Sequence, residues 1–178
     1  MDTGNFRGFD TGICEQGILT IRFNRPEKLN GLDQWIKRDL VETLTQAQMD
    51  DGVRVIVFTG SGRAFCAGDD LGGNTQDRES NLPDIPAGHR TPIGTYDGLR
   101  MLSQPVAAMV RAVDKLTIAA INGVAIQSGF SLALACDFRI ASDSARMGSA
   151  TLRFGLLPDE GGQYLLVQLL GVAGAMDF

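Results

Sequence analysis

Apolar and polar residues along the chain fall into two rhythms, and these predict its elements. Ile18 to Phe23 alternates with β-branched members and stops at Asn24-Arg25-Pro26, where proline removes the next ladder donor, so a strand feeding a loop is expected. From Asp33 to about Met49 the apolar residues Trp35, Ile36, Leu40, Leu44 and Ala47 recur at three-to-four spacing, with Lys37, Arg38, Asp39 and Glu42 assigned to the other face. This is an amphipathic helix with Asp33 as its expected N-cap. Val53 to Thr59, Leu116 to Ile121 and Phe138 to Ala141 are short β-branched or apolar runs, the first read as a strand covered on both faces. Helical patterns at Gly98 to Val113 and Gly129 to Cys136 separate these runs. Strands alternating with helices predict an α/β fold with much parallel pairing.

Between Gly72 and Thr95 the periodicity disappears into a Gly-, Pro-, Asn- and Asp-rich stretch, read as a long mobile loop. His89, the single histidine, lies there, as an ordinary solvated side chain. Leu116 to Cys136 has no charged residue over twenty-one positions, but Asn122, Gly123, Gln127, Ser128, Gly129 and Ser131 would burden a lipid-exposed helix. The stretch is therefore expected as strand, turn and helix in a buried core, not as a membrane span. An apolar segment from Leu165 to Met176 runs almost to Phe178, so either an oligomer covers it or further residues follow it.

Composition narrows the function classes. The 178 residues carry 16 Lys+Arg against 21 Asp+Glu, a formal net charge of −5, with no long basic run, so nucleic acid and anionic membranes are poor partners. Cys14, Cys66 and Cys136 are far apart and form no CxxC, which leaves no disulfide framework and no Cys/His zinc site. With no signal-like N-terminus, a reducing, cytoplasmic compartment is expected. GxSxG, GxxxxGK[ST] and HExxH are all absent.

Two loops remain as candidate chemistry. Gly60 to Gly73 (GSGRAFCAGDDLGG) places small residues where a ligand could approach the backbone. Asn122 to Asp137 (NGVAIQSGFSLALACD) carries Ser128-Gly129 into a helix N-terminus, whose unpaired N–H groups lie at the positive end of the helix dipole and can hold a developing oxyanion. Taken alone, either loop could equally be a tight strand-to-helix turn.

The blocks ILTIRFNRPEKLNGLD (Ile18 to Asp33), RAFCAGDDL (Arg63 to Leu71), AAINGVAIQSGFSLALACDFRIAS (Ala119 to Ser142) and FGLLPDEGG (Phe154 to Gly162), in this order, resemble the crotonase superfamily of enoyl-CoA hydratases and isomerases. The resemblance implies a single α/β domain, a crotonase-like spiral of ββα units, over residues 13–178, preceded by an N-terminal extension at 1–12. It implies homotrimers or hexamers, and a C-terminal helical region that starts at 161–178 and is otherwise missing. The substrate it implies is an acyl-CoA thioester, with coenzyme A entering as part of the substrate and no separate cofactor or metal.

By the same resemblance, the N–H groups of Asp69 and Ser128 would bind the thioester oxygen. Lys28, Leu29, Ala67, Asp70 and Leu71 would line the CoA path. The two glutamates with which hydratases of this family handle water are replaced here by Ser131 and Thr151, whose hydroxyls cannot take up a proton near neutral pH. A carboxylate returns at Asp159, a position resembling the catalytic Asp of double-bond isomerases and the nucleophilic Asp of aromatic acyl-CoA dehalogenases. The competing reading of Asp159 is a helix cap. Glu160 is expected to point away from its neighbour, with a lesser role at the substrate.

Double-bond isomerisation with Asp159 as acid/base is the expected reaction, because one carboxylate can remove a proton and return it further along the chain. The alternatives are a hydratase in which Asp159 and Glu160 position water, a nucleophilic Asp159 of the hydrolase or dehalogenase type, and a non-catalytic acyl-CoA binder. The nucleophilic route lacks the dehalogenase histidine, since Gln104 stands in its place.

Overall fold

In a computed structural model of the chain, residues 1, 4–70, 92–155 and 160–178 are described. The strands are β1 (Gly4–Phe6), β2 (Phe9–Ile13), β3 (Ile18–Phe23), β4 (Val55–Gly60), β5 (Ala64–Cys66), β6 (Leu116–Ile121), β7 (Val124–Ile126), β8 (Phe138–Ala141) and β9 (Arg146–Gly148). The helices are α1 (Gln34–Met49), α2 (Pro92–Gly98), α3 (Gln104–Ala112), α4 (Ser128–Ala135) and α5 (Gly162–Asp177). A π-helical turn, Leu99–Ser103, joins α2 to α3.

Two sheets divide the strands. Six form a sheet ordered β1-β2-β3-β4-β6-β8, and three form another ordered β5-β7-β9. Each ββ step contributes one strand to each sheet: β4 then β5, β6 then β7, β8 then β9, with parallel pairing between successive steps. Helices α3 and α4 close the first two steps, and this is the spiral of ββα units that the resemblance implies. Strand pairing starts at Gly4, with β2 antiparallel to β3 from Phe9↔Phe23 to Ile13↔Leu19. Residues 4–12, expected as an extension, are part of the sheet.

The local physics is legible in α1. Asp33 has extended backbone and its side chain accepts the Ile36 N–H at 2.9 Å, satisfying one of the donors that a helix start leaves unpaired. Ile36, Leu40 and Leu44 are fully buried against the sheet residues Leu19, Ile21, Phe23, Ile56 and Phe58. Burial of each such side chain stabilises the fold by about 1.5–3 kcal/mol.

The structure corrects three expectations. β4 begins at Val55, not Val53, and only Ile56 and Phe58 on one face are buried while Val55 and Val57 stay half-exposed. Helix forms already at Pro92, inside the stretch expected as loop, because proline's fixed φ suits a first helical position. Lys37 and Asp39 of α1 lie inside rather than on the solvent face. His89 and the remainder of the expected loop, residues 72–91, lie outside the described residues.

Every residue of α4 is buried, and its entry is shaped by glycine. A Cβ at Gly129 would lie 2.1 Å from the Cys66 carbonyl oxygen, so only glycine lets the helix start dock on the end of β5. This contact brings the two candidate loops together.

Candidate active site

Asp69 sits three residues past β5, and Leu32 bridges it in parallel fashion. The Leu32 N–H donates to the Gly68 carbonyl at 2.9 Å and the Asp70 N–H donates to the Leu32 carbonyl at 2.9 Å. In such a bridge the Asp69 N–H points away from Leu32, and it donates to no backbone carbonyl among the described residues. Ser128 opens α4, so its N–H belongs to the unpaired first turn. The Ser128 hydroxyl donates a hydrogen bond to the Asp69 carboxylate, which ties the two residues together. Gln127, just before them, carries φ 56° and ψ −117°, a backbone conformation that favours glycine.

The loop after β3 is stitched to this region. Arg25 donates from one guanidinium nitrogen to the Gly31 carbonyl at 2.9 Å and from the other to Asp70 at 2.8 Å, while the Lys28 ammonium meets the same carboxylate at 3.0 Å. The Ala67 N–H donates to the Leu29 carbonyl at 3.0 Å. Lys28, Leu29, Ala67 and Asp70 therefore form one neighbourhood. Asn30, almost fully buried, accepts the Arg25 N–H at 2.9 Å and donates to the Ser61 and Ala64 carbonyls at 3.0 and 2.8 Å. Leu71 lies outside the described residues.

Behind Asp69 and Ser128 is a buried charge cluster. The Lys37 ammonium, on a residue 2% exposed, contacts the Asp69 carboxylate at 2.8 Å, the Glu160 Oε1 at 2.8 Å and the Ser103 hydroxyl at 2.7 Å. Glu160 is 7% exposed, and its Oε2 has no hydrogen-bond partner among the described residues. Burial pushes the Glu160 carboxyl above its ordinary range and the Asp69 charge adds to this, against the pull of Lys37. For Lys37, burial works to lower the ammonium, yet the Glu160 and Asp69 carboxylates together hold it above its ordinary value.

Glu160 borders three spaces. One small cavity is bounded by Lys37, Ser103, Ser128, Ser131 and Leu132, and another by Gln127, Ser131, Ser149, Thr151 and Gln163. The third is a cleft of about 480 Å³ between α3 and α5, with Gln104, Ala107, Arg111, Tyr164 and Leu165 among its walls. Ser131 and Thr151, expected at the hydratase glutamate positions, are both buried and share a cavity with Glu160. Glu160 points inward, followed by Gly161 in the left-handed region, which starts α5 without a side-chain cap. Asp159 lies outside the described residues.

Lys37 escaped the sequence reading because a charged residue was assigned to the solvent face. Its spacing carried the signal, since position 37 lies three residues before Leu40 and seven before Leu44, within the apolar stripe. Among the described residues no His, Cys, Asp and Glu side chains gather as a metal site, and no helix is long and apolar enough to cross a membrane.

The 1,2-epoxyphenylacetyl-CoA isomerase of Escherichia coli (strain K12) is 36% identical over 162 residues, which cover 91% of this chain and 58% of that protein. The 4-chlorobenzoyl coenzyme A dehalogenase-2 of Arthrobacter sp is 32% identical over 163 residues, covering 91% and 55%. The crystal structure of an enoyl-CoA hydratase from Bacillus anthracis superposes with a TM-score of 0.81 at 30% identity, over 96% of this chain and 61% of that one. The chain thus spans less than two thirds of the length of these relatives. A profile of the enoyl-CoA hydratase/isomerase family matches residues 14–178, and with the fold and the spacing of the four blocks it establishes that this chain belongs to that family, within the crotonase superfamily.

Proposed function

We propose that this chain binds an acyl-CoA thioester and shifts a double bond within the acyl group, with Asp159 as acid/base. The observation that carries the reading is the pairing of Asp69 with Ser128 at the start of α4, where two backbone N–H groups are left to meet a thioester oxygen. Negative charge developing on that oxygen would be met by fixed dipoles, and this acidifies the adjacent C–H bond. Ser131 and Thr151 offer no carboxylate for paired acid and base work on water. Lys28, Leu29, Ala67, Asp70 and Leu71 would take the CoA portion, and the cleft between α3 and α5 the acyl portion.

A second reading is a hydratase in which Asp159 and Glu160 position water. It is favoured by the inward Glu160 carboxylate, which shares a cavity with Ser131 and Thr151. One experiment separates the two. Purified protein and its Asp159→Asn variant are mixed with 2-enoyl-, 3-enoyl- and 2,4-dienoyl-CoA thioesters, and conjugation is followed by ultraviolet absorbance with mass determination of the products. A change in conjugation at constant mass, in the wild type only, is the expected result. Mass gain by one water in the wild type only moves the assignment to the hydratase of Asp159 and Glu160, mass gain in both proteins moves it to a hydratase with a different acid, and CoA binding without conversion of any thioester moves it to a binding protein.

A further inference from the structure

Glu160 stands at the junction of two spaces. On one side it shares a cavity with Ser128, at the proposed oxyanion end, and on the other it lines the cleft between α3 and α5. Oε1 is held by Lys37, and Oε2 has no partner among the described residues. A buried carboxyl held by one oxygen, on a residue that borders both the cavity at Ser128 and the acyl cleft, suits proton exchange with carbons beyond the thioester.

We propose that Glu160 is a second acid/base residue of this site and that Lys37 is the residue that positions it. The proposal rests on the double-bond-shift reading and divides its labour. Asp159 removes a proton from the α-carbon of a 3-enoyl thioester; the C–H bond breaks, and its electron pair moves through the double bond system onto the thioester oxygen. Neutral Glu160 then delivers its proton to the γ-carbon, and the electron pair returns to form the conjugated double bond. Asp159 ends protonated and Glu160 ionised, and solvent water restores both, so no other reactant is consumed.

The surroundings of Glu160 suit that cycle. Lys37 from α1, Asp69 and Cys66 from the β5 region, Arg111 across the cleft on α3 and Tyr164 on α5 are the titratable and charged groups among the described residues that face it. Ser103, Ser128 and Ser131 add only hydroxyls. Burial and the Asp69 carboxylate favour the neutral acid before the transfer, and the Lys37 ammonium at 2.8 Å stabilises the carboxylate left afterwards.

The isotope pattern of the product tests the assignment. The protein converts a 3-enoyl-CoA in D2O under single-turnover conditions, and the γ-carbon is analysed by mass spectrometry and NMR. Wild type is expected to place one solvent deuterium at the γ-carbon. Glu160→Gln is expected to lose at least tenfold in rate, with residual product that retains the substrate's own proton. Lys37→Met removes the opposing charge, so Glu160 stays protonated to higher pH, and the high-pH fall of kcat/KM is expected to move upward; Lys37→Arg leaves it near the wild-type position.

Deuterium incorporation and rate unchanged in Glu160→Gln, wild-type product that retains the substrate proton, or a high-pH limb unmoved in Lys37→Met would each overturn the role of Glu160. Absence of turnover by the wild type on every thioester overturns the isomerisation reading itself and takes this assignment with it. The wild-type isotope pattern needs no variant to fold.

Discussion

Lys37 and Glu160 are 123 residues apart in the chain, yet the ammonium and the carboxylate lie 2.8 Å apart in the interior. The pair ties α1 to the start of α5, and through Asp69 it ties both to the loop after β5. Buried ions do not by themselves make a fold stable, because each has left water. Removal of one partner is the costly change, since it strands the others.

Lys37→Met is therefore expected to destabilise the fold by about 3 kcal/mol, within the range for breaking a buried pair. Urea unfolding monitored by circular dichroism reads this directly, and a loss below about 0.5 kcal/mol would place the ammonium in water, as for an exposed pair.

The raised Glu160 carboxyl makes stability depend on pH in a defined direction. Its folded value lies above the ordinary 4.5, so its contribution is fully present below about 4.5 and is lost as pH rises through the folded value. Wild type should lose stability relative to Glu160→Gln over that window. A pH-independent difference between the two in parallel urea titrations would contradict the raised value.

Gln127 holds φ 56° and ψ −117°, a conformation that costs a side-chain-bearing residue about 1–3 kcal/mol. Gln127→Gly should stabilise the protein by about 1 kcal/mol, because glycine's extra freedom in the unfolded chain offsets part of the strain it relieves. A lower Tm for this variant would show that the Gln127 side chain, which lines the cavity with Ser131 and Thr151, supplies more in packing than its backbone costs.

Thiol reactivity should divide the three cysteines. Cys14 is exposed, whereas burial pushes the thiols of Cys66 and Cys136 up to about 12, so neither is a thiolate near neutral pH. Iodoacetamide followed by peptide mass mapping should find Cys14 modified in the native protein and all three modified in denaturant. Native labelling of Cys66 at the rate of Cys14 would mean that the β5–α4 contact opens readily.

Asp137 provides the opposite pH signature to Glu160. Its carboxylate accepts hydrogen bonds from the Thr117 N–H and hydroxyl, each at 2.8 Å, and chiefly the first of these holds it below its ordinary value. The stability it contributes is present above about 3.8 and is lost as pH falls through the folded value. Asp137→Asn should unfold less steeply with acid than wild type, measured by circular dichroism between pH 5 and 2. Superimposable acid titrations would count against the Thr117 contacts.

Local pattern was enough for much of the scaffold. The alternation of Ile18 to Phe23, the run of Leu116 to Ile121, and the stripe of α1 capped by Asp33 each state a periodicity that nearby residues alone produce. The four sequence blocks carried the family. The family resemblance put Asp69 and Ser128 together, and Gly68 and Gly129 are where the backbones come close.

Tertiary structure alone decided which charged residues left water. Lys37 lies within the apolar stripe by its spacing, but spacing alone does not distinguish a lysine that extends to solvent from one that turns inward. The choice depends on carboxylates 32 and 123 residues further along the chain, at Asp69 and Glu160, that compensate its burial. Glu160 likewise turns inward where α5 starts beside α4, a contact so close that a Cβ at Gly162 would come within 2.5 Å of the Ser131 hydroxyl. Periodicity is a property of neighbours along the chain and sufficed for strands and helices; the burial of a charge is a property of neighbours in space, and only the packed molecule supplies them.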